Sequence, residues 1–142
     1  MLRILVIISF FITLLLSKDL NNPAKIYTKK CLMCHAVNAP ENEREQALMA
    51  APYITLAMKS VSYGVDAIEE PKNNKELRKL VIEHIEDYIF NPSQDKSYCE
   101  QIIFDQFRNM PSLKGFISQK EAQLVAPWIY DNFAPEKYKV EE

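Results

Sequence analysis

The chain is poor in glycine: only Gly64 and Gly115 occur in 142 residues, against eight prolines. Sandwiches and barrels use glycine at their many tight turns, so this scarcity argues against both. The remaining composition, rich in long unbranched side chains, favours helices, and the expected class is all-α. A chain of this length holds one core and hardly two. There is no internal repeat, no low-complexity block and no basic cluster. Lysine and arginine number 17 against 19 aspartate and glutamate, so nucleic-acid binding has no electrostatic support.

A long hydrophobic run is also lacking. Ile4 to Leu16 is apolar except for Ser9 and Thr13, but it is shorter than a membrane span. Arg3 precedes it and Ser17-Lys18-Asp19 follows, which is the layout of a secretory signal. Residues 1–17 are therefore read as a signal peptide and 18–142 as the exported, periplasmic domain, with its core over about 23–133. Leu15 stands where cleavage prefers a small residue, so an uncleaved N-terminal anchor is the alternative reading. No cysteine closes the apolar stretch to accept a lipid.

Helix signals fill the rest. Asn22-Pro23 opens a first helix that runs into Cys31. Residues 38–46 read as a polar loop. A helix from Tyr53 to Ser62 is expected to end at Gly64, with a loop over 66–74. The strongest periodicity lies in 75–90, where Leu77, Leu80, Val81, His84, Ile85, Tyr88 and Ile89 form one apolar stripe, readable as core or as pocket lining. A shorter helix is expected over 96–107, and Met110-Pro111 then breaks the pattern. Ser118 and Glu121 stand at capping-box spacing before a last helix to Phe133, with Pro127 expected to kink it near Val125. The charged tail from Pro135 is expected to fray.

Three cysteines would leave one over if two formed a disulfide. Cys31-Leu32-Met33-Cys34-His35 instead fits the C-x-x-C-H pattern of covalent haem attachment, which arises by chance in roughly one chain in a thousand of this size. Residues three apart at a helix end share a face, so both thiols can reach the vinyl groups of one porphyrin while the next imidazole meets its iron. A thioredoxin-like redox pair would need a βαβ context, and zinc a second ligand pair; Cys99 and His84 are too scattered to supply one. For the second axial position the candidates are Met110, Met49, Met58 and His84. Met110 is preferred because it lies in a proline-stiffened break between helices, whereas the other methionines and His84 sit where core packing explains them. Cys99 reads as an inert, partly buried thiol, with an intermolecular disulfide as its alternative.

From Pro23 to Phe133 the chain resembles the class I monohaem cytochromes c, on the attachment motif, the later Met110-Pro111, and a C-terminal helix carrying Trp128 and Tyr130. The resemblance implies a small helical domain wrapped around one covalent haem, with crossing N- and C-terminal helices that meet through Tyr27 and Trp128. It implies haem c held by Cys31 and Cys34, with His35 and Met110 as axial iron ligands. It also implies that the Pro52 carbonyl accepts the Nδ1–H of His35 and so fixes its tautomer. The chain departs from the pattern in its long interval between His35 and Met110 and in lacking a glycine in its first helix.

The expected function is electron transfer without catalysis. Redox proteins would be the partners, membrane respiratory complexes among them, with no small molecule at the iron and the chain a monomer. Ile54, Leu80, Ile85, Phe107 and Leu113 are the expected apolar lining. A haem enzyme or ligand sensor with an open sixth position is one alternative. A membrane-tethered subunit of a respiratory complex is another.

Overall fold

The computed structural model describes residues 21–140, so the expected signal over 1–17 lies outside the described residues. Among the described residues the regular structure is helical, apart from an isolated bridge between Lys114 and Ile117. Helix α1 (Pro23–Lys30) starts on Asn22, whose Oδ1 accepts from the amides of Ala24 and Lys25. Helix α2 (Glu43–Leu48) begins inside the stretch 38–46 expected to be loop. Asn42 caps it and Glu45 reaches back to the Glu41 amide, so polar side chains satisfy the helix end with no packed face.

Helix α3 (Ile54–Glu69) does not stop at Gly64. Gly64 is there for contact, not for a cap: a Cβ on it would lie 2.6 Å from the Tyr98 carbonyl oxygen. The helix ends instead at Glu70, in left-handed backbone just before Pro71. Helix α4 (Asn74–Phe90) follows, capped by Asn73. The helix expected over 96–107 is divided into a 3-10 turn (Gln94–Lys96) and α5 (Gln101–Phe107). Helix α6 (Gln119–Phe133) has the full capping box between Ser118 and Glu121, and Pro127 lies inside it.

Helix α6 is the hub, packing against α1, α3 and α4. Its buried residues Ala122, Val125, Ile129 and Tyr130 share one core with Ile26, Tyr27, Val65, Leu77 and Val81. At the meeting of α1 and α6 the Tyr27 ring lies 5.3 Å from Trp128 and 5.6 Å from Phe133. The expected association of the first and last helices is therefore present. The tail does not fray through its described part. A 3-10 turn (Glu136–Tyr138) buries Tyr138, whose carbonyl accepts from Tyr130 Oη at 2.8 Å and whose hydroxyl donates to Asp66 at 2.6 Å.

Candidate cofactor site

Helix α1 closes at Cys31, and a tight turn continues its path. The amides of Cys34 and His35 both donate to the Cys31 carbonyl, at 3.0 and 2.9 Å. That local geometry keeps the two thiols near one another and swings His35 away from the helix axis. Two long-range bonds then hold the turn. Tyr27 Oη donates to the His35 carbonyl at 2.7 Å, and the Ile54 amide donates to the Ala36 carbonyl at 2.8 Å. His35 Nδ1 lies 2.8 Å from the Pro52 carbonyl oxygen. A carbonyl only accepts, so Nδ1 carries the proton and Nε2 keeps its lone pair.

Cys31, Cys34 and His35 line an apolar cavity of about 410 Å³. Ile54 and Met58 of α3, Ile85 and Ile89 of α4, Phe104 and Phe107 of α5, and Met110 and Leu113 beyond it complete most of the wall. That size and polarity suit a cofactor-sized organic group. Met110 is therefore brought to the same space as the Cys31–His35 motif, as are His84 and Met58. Met49, the C-cap of α2, lies outside the lining. Of the five expected pocket residues only Leu80 is absent. The α4 stripe is shared between two tasks: Leu77 and Val81 are buried in the core and Leu80 packs on it, His84 and Tyr88 line the cavity, and Ile85 and Ile89 serve both.

Tyr98 and Cys99 also line the cavity; they fall in the stretch expected to be helical, which is irregular between the 3-10 turn and α5. Cys99 is free and half-buried, as expected for an inert thiol, and burial raises its pKa.

Burial, with the neighbouring Cys34, pushes the Cys31 thiol up to about 11, whereas a reactive C-x-x-C pair depends on a lowered thiol pKa. Cys31, Cys34 and Cys99 are all free thiols. Among the described residues no cluster of three or more His, Cys, Asp or Glu side chains gathers to hold a bare metal ion. A porphyrin brings four nitrogens of its own and asks the protein for one or two axial donors only. The lone pair on His35 Nε2, the paired thiols and the apolar cavity fit that group.

His84 is half-buried at the cavity wall, its ring 4.7 Å from Tyr98 and 5.1 Å from Tyr88. Burial lowers its pKa to about 4, with Asp87 opposing and Lys96 assisting. The folded chain thus binds fewer protons here than the unfolded chain, whose histidine titrates near 6.5. Stability is expected to fall as pH drops from about 6.5 towards 4, and His84→Phe is expected to flatten that decline. Urea unfolding at stepped pH checks this, and an unchanged slope in the variant would count against it.

The fold and site define an all-α protein built on one apolar cavity with a Cys-x-x-Cys-His corner. No family model and no solved structure matches the chain. It is 32% identical over 115 residues to a protein of Aquifex aeolicus (strain VF5) described as uncharacterized, a match spanning 77% of this chain and 72% of that one. The chain belongs to the same family as that protein.

Proposed function

We propose that this chain is a c-type cytochrome, carrying one haem through Cys31 and Cys34 and passing single electrons between redox proteins after export to the periplasm. The observation that carries the reading is the convergence on one apolar cavity of both motif thiols, His35 with Nε2 left free by the Pro52 carbonyl, and Met110. Bound there, a haem supplies reversible one-electron chemistry at its iron.

The chain's own residues do the rest. Cys31 and Cys34 anchor the group, and the turn bonds from Tyr27 and Ile54 stop the His35 segment from drifting. His35 is aimed by its Nδ1–H. The Met110 thioether, a soft donor, favours the reduced metal. Ile54, Ile85, Phe107 and Leu113 exclude water, which disfavours the extra charge of the oxidised state. Met33 is 71% exposed beside the attachment cysteines, leaving that end of the cavity open to a partner protein.

The test is purification from a host that matures exported haem proteins. The expected product stays red on a denaturing gel and gains the mass of one haem. Cys31→Ala/Cys34→Ala is expected to lose all gel-retained colour. Colourless wild-type protein with two free motif thiols would overturn the reading.

A further inference from the structure

The cavity holds two donors that the attachment motif does not use, and they differ in how firmly the fold holds them. Met110 sits in an irregular strap between α5 and α6. The Arg108 amide bonds Phe104 at one end of the strap, and the Leu113 amide bonds Ile89 on α4 at the other. Between them Tyr88 Oη meets Asn109 Oδ1 at 3.3 Å, and Ser112 Oγ donates to the Phe90 carbonyl at 2.6 Å. The strap is thus stitched along the last turns of α4, the helix that carries His84. His84 itself projects from the middle of that continuous helix, its ring packed against Tyr88 and Tyr98. His84 and Met110 line the same apolar cavity as the Cys31–His35 corner.

From this placement, and resting on the haem reading above, we infer that His84 is a reserve axial ligand: its imidazole takes the iron position that Met110 leaves, giving two alternative donor sets in one site. The exchange breaks one metal–sulfur bond and forms one metal–nitrogen bond, with no net transfer of electrons. A strap ligand leaves by moving a few irregular residues, whereas a ligand on α4 would have to disturb a helix packed on α3 and α6. The asymmetry sets the order, with Met110 the donor that departs and His84 the one that stays within reach. Because imidazole favours the reduced metal less than a thioether does, the second state has the lower reduction potential.

The experiment compares ferric optical and EPR spectra of the haem-loaded wild type, Met110→Ala, and Met110→Ala/His84→Phe. Met110→Leu, which keeps the strap's volume, serves as a second single variant in case the alanine disturbs folding. The wild type should show the methionine–iron charge-transfer band. Met110→Ala should lose that band yet stay low-spin, with a lower reduction potential, and the double variant should become high-spin. A high-spin Met110→Ala and Met110→Leu, or a low-spin signal that survives in the double variant, overturns the inference. So does a wild type lacking the methionine–iron band. Failure of covalent haem attachment in the wild type is read separately, on the denaturing gel, and sinks the parent reading with it.

Discussion

Tyr27→Ala is expected to cost about 4 kcal/mol or more, enough to leave a domain of ordinary stability largely unfolded. Tyr27 is 2% exposed and joins the two ends of the chain, with Trp128 and Phe133 of α6 against its ring. Loss of a buried ring of this kind costs about 3–5 kcal/mol, and its aromatic pairs add roughly 0.5–1.5 kcal/mol each. The residue has a second role, because its hydroxyl holds the His35 carbonyl. Burial pushes that phenol up to about 12, so it remains a donor throughout the physiological range. Tyr27→Phe separates the two roles: the ring stays, the hydrogen bond goes, and the expected cost is about 1 kcal/mol. Urea unfolding of both variants, read by circular dichroism, provides the check. An alanine variant within 1 kcal/mol or so of wild type would refute the packing argument.

Gly64→Ala has two opposed terms, and their sizes decide the sign. Inside a helix such as α3 the change should gain about 1 kcal/mol in propensity. The new Cβ, however, would stand 2.6 Å from the Tyr98 carbonyl oxygen and 2.7 Å from its Cβ. The first of these is backbone and cannot rotate away, so α3 and the loop must separate, at about 1–3 kcal/mol. Overpacking is expected to win. The consequence at the site is larger than the net stability change. Tyr98 and Cys99 form one wall of the cavity, and the Tyr98 hydroxyl is tied to Glu69 at 2.6 Å. Moving that wall should expose the Cys99 thiol, whose pKa wild-type burial raises. Faster alkylation of Cys99 by iodoacetamide, located by peptide mapping, together with a lower thermal midpoint, is the expected pair of results. A variant that melts higher and leaves Cys99 equally protected would show that the close approach is not rigid.

What the sequence by itself determined are the features built from near neighbours. The Cys31–His35 turn is made by bonds within residues 31–35, the helix starts by Asn22 and Ser118, and the α4 stripe by its own periodicity. Each depends on contacts within a turn or two, where spacing determines geometry. Only the tertiary structure decided that Gly64 is a contact point and not a helix end. It likewise decided that the 98–99 loop walls the cavity and that Tyr138 docks the tail. Those outcomes join residues far apart in the chain, and the stripe on α4 illustrates why they escape a sequence reading. Leu80 and Ile85 are equally apolar and both pack on the core, yet only Ile85 also lines the cavity, because a residue's surroundings depend on what the neighbouring helices bring to each side.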